Sequence, residues 1–126
     1  MQDITDNLPD IILKNIAAHN QRNADAFIAT FASDALLNDA KREFVGLSAI
    51  RAWAQKEIFN DNVILKVSKA YANHSNIIVH GIITGDFDKS NLPDPLILTY
   101  YYSLQNDKIF QLAILLNTVI WEPQHV

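Results

Sequence analysis

The hydrophobic pattern of this chain changes period once, at Asn62, and that change limits the folds open to it. Before Asn62 the apolar residues recur at helical spacing. Leu8, Ile11, Ile12, Asn15, Ile16 and His19 fall on one stripe of a helix that starts after Pro9, with Asp10 in its first turn. Asn23 is suited to cap a second helix, in which Phe27 and Phe31 stand one turn apart. Gly46 precedes a third helix, capped by Ser48, with Ile50, Trp53, Ala54 and Ile58 on its buried side. A short strand, Ala35 to Asp39, separates the second helix from the third.

After Asn62 the side chains alternate. Val63 to Lys69, Ile77 to Thr84, Leu96 to Leu104 and Ile109 to Ile120 read as strands. Asn73 to Asn76 and Asn106-Asp107 are turns, and the prolines of "GDFDKSNLPDP" keep that loop irregular. Helices first and an antiparallel meander second is the α+β arrangement. In the last run Ile109, Gln111, Ala113 and Leu115 face one way, and Phe110, Leu112, Ile114 and Leu116 the other. Both faces are apolar, whereas a sheet open to water on one side alternates more cleanly. Three helices cover one face. The other is expected to meet a second copy, giving a homodimer through the sheet.

The length, 126 residues, suits one domain over 1–126 with a core that needs no staples. A net charge of −4 without a basic stripe argues against nucleic acid as a partner. The absence of cysteine excludes disulfides and thiol chemistry. "MQDITDNLPD" is acidic and lacks the apolar stretch of a signal peptide, and no apolar run reaches membrane-spanning length. A cytoplasmic protein with no membrane partner is the expectation. His19, His74, His80 and His125 form no i, i+4 pair, so no metal is expected, and scattered glycines leave no phosphate loop. No cofactor is expected.

The stretches "NADAFIATFASDALLND", "FVGLSAIRAW" and "GIITGDF" with "LILTYYYSLQNDKIFQL" resemble the SnoaL-like branch of the NTF2-like superfamily, which includes polyketide cyclases and is related to the ketosteroid isomerases. The resemblance covers almost the whole chain. It implies a cone of three N-terminal helices packed on a curved antiparallel sheet, enclosing an apolar pocket for a small hydrophobic organic molecule. The family's activities include isomerases, cyclases, dehydratases and epoxide hydrolases. An epoxide hydrolase of this fold uses a strand arginine between aspartates. Arg22, Arg42 and Arg51 all lie in the helical half and do not fit that pattern.

In the similar isomerases the position of Asp39 is the general base beside a ketone. That of Asn15 is the tyrosine that donates to the enolate oxygen. Asn15 departs from the pattern: an amide is a weaker donor than a phenol. The resemblance thus makes Asp39 and Asn15 candidate catalytic residues, with His80 a candidate proton-transfer partner. The residues alone leave Asp39 two readings, a pocket base or a strand-end carboxylate capping the loop before Lys41 and Arg42. Candidate ligand contacts are His19, which interrupts an apolar helix face, together with Phe27, Phe31, Trp53, Tyr100 and Tyr102. Buried tyrosine hydroxyls need a partner or an opening. A catalytic domain acting on a hydrophobic carbonyl compound and a non-catalytic ligand-binding or interaction domain both fit.

Overall fold

The computed structural model describes residues 1–116. The part of the expected last strand that runs on to Ile120, and His125, lie outside the described residues. The elements are β1 (Gln2–Asp3), α1 (Asp10–Asn20), α2 (Ala24–Ala29), β2 (Phe31–Asp39), β3 (Arg42–Val45) and α3 (Leu47–Ala54). A π-helical turn, Gln55–Phe59, continues α3, followed by β4 (Ile64–Asn73), β5 (Asn76–Thr84), β6 (Ile97–Gln105) and β7 (Lys108–Leu116).

The strands form one seven-stranded sheet in the order β1-β4-β5-β6-β7-β2-β3. The meander β4 to β7 is antiparallel, as its alternation and turns dictate. The sheet as a whole is mixed, because β2 lies parallel to β7. This corrects the expected all-antiparallel sheet. Without β2, β7 would end the sheet as an exposed apolar edge, and Leu37 paired with Leu112 closes it. The helices cover one face. There Phe27, Ile12, Leu37, Ile50, Val79, Leu112 and Tyr102 are almost fully buried.

Several local features set where the helices begin and end. Asp10 stands at the positive end of α1 and pairs with Lys14 one turn on. At the other end, the Asn20 side chain donates to the Leu65 carbonyl and accepts from the Leu65 N–H, both at 2.9 Å, tying α1 to β4. Asn23 Oδ1 accepts from Ala26 N–H and caps α2 as its sequence position suggests. The helix stops at Ala29, so Phe31 opens β2 instead of completing the helical pair. Its ring still meets Phe27, with centroids 5.2 Å apart. Gly46, at φ 86°, is the residue before α3, so the helix starts at Leu47 without a Ser48 cap.

"ALLNDAKREF" is a hairpin. Asp39 is directly opposite Arg42, leaving Ala40 and Lys41 as the turn at φ 51° and 74°. Both residues are left-handed, as a tight two-residue hairpin turn requires, although neither is glycine or asparagine. Asn38 Oδ1 accepts from Lys41 N–H and steadies the turn. The charged loop read from sequence is thus a second strand.

A bulge corrects the simple alternation of β7. Ser103 pairs with Gln111 and Leu104 with Ile109, so Phe110 is the extra residue. Ile109 consequently shares the buried inner face with Leu112 and Ile114, while Ala113 and Leu115 face outward. No described helix is long and apolar enough to cross a membrane.

Candidate functional site

Between the helices and one end of the inner sheet face lies a cavity of about 360 Å³. His19 of α1, Trp53 of α3, Asp39 at the end of β2 and Tyr100 of β6 contribute to its lining. The apolar wall includes Ile58, Val63, Ile83, Leu98 and Ile114, with Phe87 and Leu92 supplied by the proline-containing loop. Gly85 permits that loop to fold in: a Cβ there would stand 3.0 Å from both the Asp61 carbonyl and the Phe87 ring. The same close approach lets Asp86 N–H donate to the Asp61 carbonyl at 2.7 Å.

Asp39 is held by two donors on one oxygen. The Trp53 indole N–H reaches its Oδ2 at 3.0 Å and Arg42 Nη2 reaches it at 2.8 Å. Arg42 also donates through Nη1 to Glu57 Oε1 at 2.9 Å, so one guanidinium links two carboxylates of the lining. Those pairs, with the Glu57 hydrogen bond foremost, push the Arg42 pKa up. The second strand of the hairpin is what brings Arg42 opposite Asp39. Phe44 on that strand packs on the Trp53 ring, with centroids 6.3 Å apart.

His19 is 4 % exposed, and its Nε2 has no hydrogen-bond partner among the described residues. Burial pushes its pKa down to about 4, opposed by a hydrogen bond to the Val63 backbone. The ring is therefore neutral near pH 7. Tyr100 lies in the wall, and its hydroxyl makes no hydrogen bond to a described residue. Burial, then the nearby Tyr102 and the Asp39 charge, push the Tyr100 pKa well up, so it is a neutral phenol.

The remaining sequence candidates stand elsewhere. Asn15 is buried behind the cavity with its polar atoms engaged: Nδ2 donates to Thr30 Oγ1 at 3.0 Å, and Oδ1 accepts from the Tyr102 hydroxyl at 3.3 Å. Thr30 in turn donates to the Phe27 carbonyl at 2.6 Å. Phe27, Phe31 and Tyr102 belong to the core around that network. His80 is on the outer face, where Nδ1 meets Thr99 Oγ1 at 2.9 Å and the ring packs edge-on to Tyr71. Alternation forces this, since Thr99 points away from the face that carries Tyr100. The sheet therefore stands between His80 and Asp39.

Glu57 and Asp61 are lining residues that sequence reasoning missed. Glu57 follows Trp53 at i+4, so a cavity at Trp53 implies it. The π-helical turn carries Glu57 and Ile58 into the wall, its wider i→i+5 bonds running from Asn60 N–H to Gln55 and from Val63 N–H to Ile58. Such a turn leaves no mark in a periodic pattern this short.

No family model matches the sequence, and no curated protein matches it. Solved structures do. A candidate polyketide cyclase from Sinorhizobium meliloti superposes with a TM-score of 0.79 at 25 % identity, over 88 % of this chain and 98 % of that one. An NTF2-like protein of unknown function from Cytophaga hutchinsonii gives 0.71 at 15 % identity, over 93 % of each chain. A protein with a ketosteroid isomerase-like fold from Catenulispora acidiphila, in complex with trimethylamine, gives 0.73 at 19 % identity over 85 % of each. The chain has the NTF2-like α+β fold, in agreement with the SnoaL-like resemblance of its sequence.

Proposed function

We propose that this protein binds a small organic molecule with an apolar body in the cavity between its helices and sheet. The observation that carries the reading is a roughly 360 Å³ space walled by apolar side chains. Its polar lining includes Asp39, Glu57 and a Tyr100 phenol that no described residue satisfies. Such a site is concave, mostly apolar and supplied with a few converging polar groups, as ligand pockets are. The small-molecule complex of one structural neighbour supports the same reading. Ligand binding raises the melting temperature by mass action. Screening flat aromatic and alicyclic compounds should give saturable shifts in the wild type and none in Ile83→Trp, whose added ring occupies the cavity.

A second reading is favoured by the pairing of Asp39 with Tyr100. A carboxylate and a neutral phenol in one apolar cavity can remove a proton beside a carbonyl and polarise its oxygen, the step shared by isomerases, cyclases and dehydratases. Tyr100 would supply the donor in place of Asn15, whose amide is occupied. Exchange of α-protons for deuterium in a bound ketone, lost in Asp39→Asn, is the test.

The protein is also proposed to pair through the outer sheet face. Tyr101 and Leu115 are 42 % and 47 % exposed there, beside Ile78 and Ala113. A second copy on this face would remove that apolar surface from water.

A further inference from the structure

The polar groups of the cavity are unbalanced in two ways, in charge and in hydrogen-bond type. Asp39, Glu57 and Asp61 line it, and among the described residues no lysine or arginine does. Arg42, at its edge, links Asp39 and Glu57. Asp61 forms no ion pair with a described residue; only its backbone carbonyl is engaged, by Asp86. Three acidic residues of the lining thus have one guanidinium among them, and the apolar wall concentrates the remaining negative potential in the cavity.

The hydrogen-bond inventory leans the same way. Trp53 has its one N–H on Asp39, and the Arg42 fork is turned to Asp39 and Glu57. Tyr100 is left as a donor. Against it stand the carboxylate oxygens of Asp39 and Glu57. The Tyr100 hydroxyl, on a residue 4 % exposed and without a partner among the described residues, also accepts through its oxygen and so adds to the acceptors of the wall.

We infer that the ligand is a small organic ammonium ion, its N–H groups turned to the acidic residues of the lining and the Tyr100 hydroxyl oxygen and its apolar body against Trp53 and Phe87. The inference rests on the pocket reading above and specifies its ligand class. The aromatic faces add to it, because a cation over a tryptophan or tyrosine ring is attracted by the ring quadrupole. An anionic ligand would meet three carboxylates with its own charge unpaired. A neutral ligand would leave the surplus negative charge of the lining unbalanced.

Matched probes separate the charge of the ligand from its shape. Isothermal titration near pH 7 with 2-phenylethylamine, 2-phenylethanol and 3-phenylpropionate compares a cation, a neutral molecule and an anion of similar size. The cyclohexyl counterparts repeat the comparison without an aromatic ring. The amines are expected to bind about tenfold tighter than the alcohols, with the preference shrinking as salt rises, and the carboxylates not to bind. Asp61→Asn, checked for a wild-type melting temperature, should cut the amine preference severalfold. Glu57→Gln serves if that variant fails to fold. Alcohols or carboxylates that bind as tightly as amines would overturn the inference and leave the pocket reading standing. No saturable binding by any probe would overturn both. An amine preference unchanged in both variants would move the cation site elsewhere and also overturn it.

Discussion

The indole N–H of Trp53 donates to Oδ2 of Asp39 at 3.0 Å, so the carboxylate at the cavity edge is part of the wall that holds the tryptophan. Asp39 is 21 % exposed and its partner Arg42 52 %, so the ion pair itself is screened by water and worth little. The buried part of the interaction is the Trp53 N–H. Asp39→Asn keeps an acceptor for it and should cost about 0.5–1 kcal/mol, whereas Asp39→Ala leaves the donor unpaired and should cost about 1–3 kcal/mol. Urea denaturation of the two variants checks this. An Asp39→Asn protein more stable than wild type would mean that the carboxylate is a burden on the fold.

His19 predicts an acid-sensitive step. Its folded pKa, about 4, lies below the ordinary 6.5, so the folded state disfavours the proton. The stability tied to the neutral ring is fully present above the unfolded value and is lost as pH falls from 6.5 toward 4. Between pH 7 and 4.5 the loss should be about 2–3 kcal/mol, and His19→Asn should flatten that part of the profile. Parallel profiles for both proteins would show that His19 does not cause the decline.

The turn at Ala40-Lys41 places two non-glycine residues in left-handed backbone. Lys41→Gly relieves one of them and should stabilise the protein by about 1 kcal/mol, read as a higher denaturation midpoint with an unchanged slope. A destabilised Lys41→Gly would mean that the Lys41 side chain contributes more than its backbone costs.

The outer sheet face gives a prediction on assembly. The bulge at Phe110 turns Ala113 and Leu115 outward, while Ile114 is buried in the inner face. Leu115→Asp should therefore give a folded monomer, and Ile114→Asp a destabilised chain. Light scattering of the wild type should show a dimer. A monomer at micromolar concentration with no concentration dependence contradicts the pairing.

What was legible in the sequence followed from regular periods. His19 stood out because a polar residue on an apolar helix stripe must face something polar. Alternation puts Tyr100 and Tyr102 on one face, with Tyr101 opposite, as the burial shows. Alternation does not say where along a strand the core ends and a cavity begins, so Tyr102 was grouped with Tyr100 although it sits over Asn15. The bulge at Phe110 and the π-helical turn at Glu57 each shift the period by one residue, which a single sequence does not mark. The β2–β7 pairing joins segments about 75 residues apart, as with Leu37 and Leu112. Strand pairing of that kind is decided by tertiary packing of β7, not by local preference.

Isoleucine methyl NMR tests the central claim most directly, because the cavity and the outer face carry different isoleucines. On titration with 2-phenylethylamine, the methyl signals of Ile58, Ile83 and Ile114 in the cavity lining should shift along saturable curves sharing one dissociation constant. Those of Ile78 and Ile97 on the outer face should stay in place. Saturable shifts confined to the outer-face isoleucines, or no shifts with any of the amine, alcohol and carboxylate probes, would contradict a ligand site between the helices and the sheet.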